Sequence, residues 1–449
     1  MKKKVWVPSI VMRVVPNIVV VLEIQELVGQ NNVQTVKKRQ LITKVQFAQL
    51  GFNCSNWAID IALYIMKRLI ECLLLLCLLS ACKERSIIQP DDLSTVKVEV
   101  SGEIKQQPLS EISDYSLLFL PTADSLVIGE INRIRSVGDY VYLSDNSTIY
   151  KFTRLGDFVA RISKHGAGNG EYLNITDFQI DGMGNVWILS RTMQALLLYS
   201  WDNSLLRKIS IDGLWAQSFA LMGNEMLLYT GNEPNDKGKQ LHLLDIEKSK
   251  VVDAFKDIDP HQSKYLFVKG LNYFKKESEK ECSFIQLFDD TVYHFTGDSL
   301  SSYLSFNWDN HNVPESFFEE KHEDIMDFFQ KFHAKGIYAY GLNMFIETVD
   351  SYWVSYYYQK KCYCAIFPKN GSDQYVFSGF YLDKHENFPV DLENVSLFTQ
   401  DDGTLIAPIE VAEMKDFLLS SGKVCEDVNN LSDDSNPALL FISTGKYQK

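Results

Sequence analysis

The amino-acid sequence predicts an all-β fold, a six-bladed β-propeller with one helical insertion, preceded by an export signal. Strand-like segments separated by turn residues recur six times after residue 96, at intervals of roughly 40 to 70 residues. Tyr and Phe number 22 and 27, as expected where many strands pack face to face. A short apolar run that follows two basic residues precedes these repeats, which is the order found in an exported protein.

The apolar run, residues 66–81, has the parts of an export signal. Lys67 and Arg68 supply the positive charge at its start, and small residues end it. The sequence Leu79-Ser80-Ala81-Cys82 resembles a bacterial lipobox. The resemblance implies that the signal peptide is cleaved before Cys82 and that Cys82 carries a lipid. Such a lipid would hold the mature protein on a membrane.

The segments around this signal complete the predicted organisation. A transmembrane helix over residues 61–81 is the alternative to a signal peptide, although charged residues interrupt it. Residues 1–65 do not fit in front of an export signal, and we interpret them as an upstream extension that is not part of the mature protein. Residues 82–95 are a polar tether. Lys83, rather than Asp, follows the lipobox cysteine, which by the same resemblance implies the outer membrane.

Two consecutive units show the repeat most clearly. The first runs from Gly138 to Ser163, and the second begins 46 residues later at Gly184 and runs to Ser210. Fainter copies begin near Gly223, Cys282, Asp350 and Asp402. Each unit can bury its faces only against its neighbours, which predicts a closed propeller over residues 96–449.

The charge of the repeat region argues against one class of partner. The formal net charge is −14, but residues 1–81 hold ten basic and four acidic residues, so the remainder carries a net charge of −20. A surface of this sign repels phosphate backbones, and no nucleic-acid partner is expected. Only four of the eight cysteines fall in the repeat region, which does not make a disulfide framework.

Three segments carry a family resemblance. They are residues 118–131, the sequence His165-Gly166-Ala167-Gly168-Asn169-Gly170-Glu171-Tyr172, and the tail Asn436-Pro437-Ala438-Leu439-Leu440-Phe441-Ile442. They resemble segments of the six-bladed β-propeller lipoproteins of Bacteroides-like bacteria, which are themselves similar to NHL-repeat propellers. Asn169 stands where that family usually has Pro. The resemblance implies a fold and an envelope location, but no activity, because propellers host many functions.

Two segments invite other interpretations. Gly166, Gly168 and Gly170 lie between strands and predict an inter-blade turn, because a phosphate-binding loop would open a helix. Residues 314–334 instead have apolar residues at helical spacing. These apolar residues are Phe318, Ile325, Phe328, Phe329 and Phe332. They predict a helix packed on the propeller or, alternatively, a lid over the mouth of its channel.

Metal and thiol chemistry are not predicted. The eight histidines show no metal-binding spacing, so we expect no metal site and no cofactor. Cys362 and Cys364 are two residues apart in a strand and therefore share a face, where we expect buried, inert thiols.

The densest aromatic stretch, residues 352–358, provides the candidate ligand-binding residues. Alternation along a strand puts Tyr356 and Tyr358 on one face and Trp353 on the other. Packing between blades accounts for such rings, and a stacking platform for a sugar or a peptide is the alternative. Trp353, Tyr356 and Tyr358 are therefore the predicted ligand contacts, and no catalytic residue is predicted.

These observations favour a ligand-binding or scaffold module of the cell envelope, with an envelope protein or a glycan as its partner. The alternative is a propeller enzyme of the metal-dependent lactonase, lyase or glycan-active hydrolase type, with its site at the channel mouth. Such enzymes need carboxylates, amides or histidines from several blades to converge there. The candidates are Asp145, Asn146, Asp177, Asp181, Asp289 and Asp290.

Overall fold

A computed structural model of the protein describes residues 93–100, 106–267, 272–425, 428 and 431–445. The predicted extension, the export signal and Cys82 lie outside these residues. No helix in the described part of the chain is long and apolar enough to cross a membrane. The first described strand begins at Ser94, inside the predicted tether.

The described residues form seven β-sheets, so the predicted count of six blades is wrong. The first three blades each have four antiparallel strands in chain order. Blade 1 consists of β4 (Arg133–Val137), β5 (Tyr140–Ser144), β6 (Ile149–Thr153) and β7 (Phe158–Ile162). Blade 2 consists of β8 (Asp177–Ile180), β9 (Val186–Ser190), β10 (Ala195–Tyr199) and β11 (Leu205–Ser210). Blade 3 consists of β12 (Ser218–Met222), β13 (Glu225–Tyr229), β14 (Lys239–Asp245) and β15 (Lys250–Asp257).

The next two blades follow the same antiparallel pattern, and one of them gains a strand. Blade 4 consists of β16 (Phe274–Lys276), β17 (Cys282–Phe284), β18 (Thr291–Phe295), β19 (Leu300–Asn307) and the added β1 (Ser94–Lys97). Blade 5 consists of β20 (Ala339–Glu347), β21 (Ser351–Tyr358), β22 (Lys361–Pro368) and β23 (Tyr375–Phe377). The strand β1 pairs in parallel with β19, at the outer edge of blade 4.

The last two sheets combine strands from both ends of the described chain. The three-stranded blade consists of β2 (Gln107–Pro108), β24 (Gly379–Leu382) and β25 (Phe388–Asp391). The closing blade consists of β26 (Phe398–Thr399), β27 (Leu405–Ile409), β28 (Ala438–Ile442) and β3 (Tyr115–Phe119). Within it Leu440 pairs with Leu117, so the strand predicted from the tail joins the two ends of the fold.

The position of the three-stranded blade explains the error in the count. First strands of neighbouring blades contact one another around the centre, and β20 of blade 5 contacts β26 of the closing blade directly. The three-stranded blade packs outside this contact, where Phe380 and Val390 share a core with Trp353 of blade 5 and Leu440 of the closing blade. Its strand β2 pairs with β24 from far upstream, a long-range contact that no local repeat reveals.

The helical insertion follows blade 4 and contains two helices where one was predicted. They are α2 (Glu315–Glu319) and α3 (Ile325–Lys335). The second helix starts afresh because the carboxylate of Asp324 accepts a hydrogen bond from the backbone N–H of Asp327. It ends at Gly336, which adopts a left-handed conformation (φ 62°). Two further helices, α1 (Leu109–Ile112) and α4 (Val411–Ser421), were not predicted.

The insertion packs through aromatic rings. Phe317 and Phe318 of α2 and Phe328 and Phe332 of α3 are buried, and they form one core cluster with Tyr340 of blade 5 and two rings from the segment after blade 3. The predicted apolar face is therefore present, although Ile325 and Phe329 are only partly buried. The two helices therefore pack on a cluster of aromatic side chains.

The glycine-rich segment after β7 is an inter-blade turn, as predicted. The carboxylate of Glu171 accepts a hydrogen bond from the backbone N–H of Gly168 at 2.7 Å. A Cβ atom at Gly166 or Gly168 would meet this carboxylate at less than 3 Å. A Cβ atom at Gly168 would displace the flexible Glu171 side chain, and Gly166 also has a φ of 157°, a backbone conformation that favours glycine.

Candidate functional site

A buried carboxylate, Asp177, lies at the centre of the propeller. It begins β8, is fully buried, and faces Arg133 and Arg135 of β4 at 3.4 and 3.0 Å. Its second oxygen accepts a hydrogen bond from the hydroxyl of Ser218 at the start of β12. First strands of three consecutive blades are thus joined by one acidic side chain.

The charges of this group do not balance. Two guanidinium groups share one carboxylate, and the side chains of Arg133 and Arg135 are 11% and 17% exposed. Burial lowers the pKa of Arg133 below its usual value, and Asp177 opposes that shift. Arginine nevertheless keeps its proton in proteins, so the centre carries an excess of positive charge in a poorly solvated environment.

Other polar side chains form further hydrogen bonds between the blades near the centre. The hydroxyl of Tyr273 donates to the side-chain oxygen of Gln217 at 2.9 Å. The amide of Asn272 donates to the backbone oxygens of Asn343 and Leu397, and its oxygen accepts from the backbone N–H of Thr399. Polar groups from the first strands, or from the residues beside them, therefore line the channel on several sides.

A cavity of about 320 Å³ opens beside this network. Its lining comes from residues 130–133, which lead into blade 1 and include its first residue, from Asn343, Ser355, Tyr357 and Cys362 of blade 5, and from residues 392–398, which lead into the closing blade and include its first residue. A volume of this size accommodates a small organic ligand. Because three parts of the fold form it, the cavity exists only in the closed propeller.

The cavity carries charges of both signs at different depths. Arg133 is mostly buried, whereas Glu130 and Glu393 are exposed. Asn132 also lines the cavity, and its amide donates to the side-chain oxygen of Asn146 at 2.8 Å. The arrangement offers a cation on the inner side, carboxylates at the rim and amide groups between. It can therefore bind a polar ligand through several directed hydrogen bonds.

The predicted aromatic contacts lie elsewhere. Trp353, Tyr356 and Tyr358 are 1%, 0% and 8% exposed. Tyr356 packs against Trp308, with ring centroids 4.8 Å apart, while Trp353 lies in the core on the other face of β21. These rings fill the spaces beside blade 5, and a ligand could reach them only if the packing opened. The neighbouring Tyr357, not selected from the sequence, does line the cavity.

The six candidate residues for an enzyme do not form a ring. The side chains of Asp145 and Asp181 accept hydrogen bonds from backbone N–H groups of their own turns. Asp289 pairs with Lys256 at 2.9 Å, and Asp290 accepts from the indole N–H of Trp308 at 2.6 Å. Of the five aspartates, Asp177 is the one bound to both channel arginines. This distribution gives no support to a carboxylate-built catalytic site.

The two cysteines of β22 are buried free thiols. Burial raises the pKa of Cys362 to about 12 and that of Cys364 well above its usual value. A thiol that keeps its proton is a poor nucleophile. Cys362 therefore contributes shape, rather than reactivity, to the cavity wall.

One sequence pattern indicates the central charged group and could have predicted it. Arg133 and Arg135 alternate with Ile134 in a short strand, which puts both guanidinium groups on one face. Two arginines on one face of a first strand indicate a buried acidic partner in the channel. Gln217, Asn272 and Thr399 carried no such signal, because their convergence depends on closure of the ring.

The family comparison covers nearly the whole of the described propeller. A family model described as a domain of unknown function, DUF4934, matches residues 94–443. No curated protein matches the sequence closely enough to count as a relative.

The structural comparison finds similar folds in proteins of Bacteroides species. A Bacteroides fragilis protein named as a predicted exported protein has a TM-score of 0.59 and 20% identity, over 80% of this chain and 100% of that one. A DUF4221 member from Bacteroides vulgatus has a TM-score of 0.42 and 10% identity, over 74% and 98% of the two chains. The first likeness confirms the propeller fold. The NHL-like character stays a prediction.

Proposed function

The chain belongs to the DUF4934 family, and from this premise we propose that it is a lipid-anchored ligand-binding module of the cell envelope. The observation that carries the binding role is the cavity of about 320 Å³ beside the central network. Arg133 would meet an acidic or hydroxyl group of the ligand. Glu130 and Glu393 at the rim would meet a basic or hydroxyl group.

The chemistry of the buried groups in and beside the cavity favours binding over turnover. The channel carboxylate, Asp177, is held by two arginines and a serine, and the nearby thiol of Cys362 keeps its proton. Directed polar groups of opposite charge fit a sugar or a peptide better than an apolar molecule. We therefore propose a glycan or a peptide of an envelope protein as the ligand.

Blocking the cavity tests this role. Glycan and peptide arrays probed with the full-length protein in detergent should give a set of bound ligands. Ser396→Trp, which places a large ring on the exposed lining, should abolish that set. Ser372→Trp, at an exposed turn between β22 and β23, is the matched control and should bind like the wild type. Ligands that bind Ser396→Trp unchanged would place the binding surface outside the cavity.

The proposed anchor rests on the lipobox resemblance and on Lys83, which point to a lipid on Cys82 and to the outer membrane. The exported Bacteroides fragilis neighbour supports an envelope location. Radiolabelled palmitate should enter the wild type and Cys77→Ala but not Cys82→Ala. Equal labelling of Cys82→Ala and the wild type would refute the anchor.

A further inference from the structure

Three ligand-type side chains come together at the helical insertion and take no part in the cavity. His261 lies in the segment between blades 3 and 4, just before a 3-10 turn (Gln262–Lys264). Glu315 and Glu319 lie four residues apart in α2 and so project from the same face. The nearest imidazole and carboxylate atoms of the three residues all lie within 4.8 Å of one another. We infer that these residues bind a divalent transition-metal ion, with zinc as the best fit.

The ligand set favours zinc over calcium or magnesium. Calcium and magnesium prefer oxygen ligands, whereas an imidazole nitrogen suits zinc, copper and nickel. One histidine and two glutamates leave a fourth position for water, as in open zinc sites. The Nε2 atom of His261 and an Oε1 atom of Glu319 are 3.9 Å apart. Ligands of a tetrahedral zinc ion lie about 3.3 Å from one another, so small side-chain rotations complete the site.

The charges at the three residues also favour a cation. In the part of the chain that the structure describes, no lysine or arginine forms an ion pair with Glu315 or Glu319, and the ion-pair partner of Glu319 is the His261 ring. The next residue, Glu320, differs because Lys335 neutralises it at 3.1 Å. Two carboxylates close together without a cation repel each other, and a bound metal ion would remove that repulsion.

The backbone around the three ligands is fixed by packing. Tyr265 and Phe267, shortly after His261, are buried in the same cluster as Phe317 and Phe318, which lie between the two glutamates. The ligands are therefore held on two segments that are already packed together, so metal binding has little chain ordering to overcome. The metal would link the segment between blades 3 and 4 to the insertion, which lies between blades 4 and 5.

Zinc titration of the full-length protein in detergent, after removal of metal with a chelator, tests the site. Calorimetry should show one saturable Zn²⁺ site. His261→Ala and the double variant Glu315→Gln/Glu319→Gln should each weaken it by about tenfold or more, since even supporting residues of metal sites contribute that much. Glu320→Gln and His311→Ala change the same residue types outside the site and should bind zinc like the wild type.

A second readout identifies the ligands. X-ray absorption of the zinc-loaded protein should show one nitrogen and two or three oxygens around the metal. Circular dichroism should show that all variants are folded, because the substituted side chains are partly or fully exposed. The absence of a saturable site, or equal zinc affinity in His261→Ala and the wild type, would overturn the inference. Either result would leave the ligand role of the cavity untouched.

Discussion

The channel centre and the aromatic cluster under the helical insertion are both buried, but different forces hold them. In the channel, Asp177 joins Arg133, Arg135 and Ser218 through directed, charged contacts between three blades. Under the insertion, Phe328 touches a ring of other aromatic side chains at centroid distances of 5.0 to 6.0 Å. The stability of the channel centre depends on the positions of single charged atoms. The stability of the insertion depends on how completely its aromatic rings fill the space between them.

This difference has consequences for how each region tolerates change. A charged network fails when one partner is removed, because the remaining charges stay buried without compensation. An aromatic core loses stability in proportion to the volume removed and accepts substitutions of similar size. The channel network is therefore sensitive to the loss of a single partner, whereas the packing under the insertion tolerates substitutions that keep its volume.

The largest effect is expected in the channel. Asp177→Asn should lower the free energy of unfolding by about 3–5 kcal/mol, because both arginines lose their buried counter-charge. Urea denaturation followed by tryptophan fluorescence measures this loss. The control is Asp181→Asn, at the turn after the same strand, where an amide oxygen can keep both backbone hydrogen bonds and only the contact with the Asn185 side chain is lost, so the change should stay within about 1 kcal/mol. Similar losses for the two variants would remove the contrast between the regions.

A smaller and graded effect is expected under the insertion. Phe328→Ala should cost about 3 kcal/mol through the cavity it leaves, whereas Phe328→Leu should cost about 1–1.5 kcal/mol. Hydrogen exchange should show the loss concentrated in residues 315–335. Met326→Ala, a side chain on the same helix that is 72% exposed, should be neutral. If Phe328→Ala and Phe328→Leu lost the same free energy of unfolding, the precise placement of the ring, and not the volume it fills, would determine stability there as well.

Asp290, which directly precedes β18 of blade 4 and belongs to neither region, adds a pH dependence to the stability of the protein. Burial raises its pKa to about 7, and the N–H of Trp308 partly offsets the shift. Between about pH 4 and pH 7 the folded state holds a proton that the unfolded state has lost, so stability falls as pH rises. Asp290→Asn should remove this slope. At pH 8 the free energy of unfolding of the variant should exceed that of the wild type by about 1–3 kcal/mol, and at pH 4 the two values should be equal.

Thermal denaturation across pH 4–8 measures this dependence. Asp433→Asn serves as the control, because its side chain is 83% exposed and pairs with Lys415 at the surface, so its removal should leave the slope of the wild type between pH 5 and pH 8. An Asp290→Asn variant that keeps the wild-type slope would show that Asp290 is already ionised in the folded protein.

The sequence predicted the parts of the fold that repeat locally. Strands β5 and β9 begin two residues after Gly138 and Gly184, where the repeat placed them. The tail strand, β28, and the turn at Gly166 also agree with expectation. These features depend on alternation and turn residues, which a short window contains.

What the sequence did not predict depends on closure. The pairing of β2 with β24 and the meeting of Asp177 with Arg133 both join residues from separate blades. The break between α2 and α3 depends on a single cap at Asp324 within a continuous helical pattern. Trp353 and Tyr356 lie in an aromatic-rich stretch of the kind that forms binding surfaces, but the neighbouring sheets bury them. Contacts of this kind appear only after the ring is assembled.

The closing blade sets an order of events during biogenesis. Its strand β3 comes from the start of the propeller, yet it pairs with β28, the last described strand. A chain that leaves the ribosome N-terminus first cannot form this pair until Ala438–Ile442 have emerged. Until then β3 has an unpaired edge, and the ring of blades stays open. Completion of the ring therefore depends on the arrival of β28, and a truncation that removes Ala438–Ile442 should leave the closing blade without the strand that joins β27 to β3.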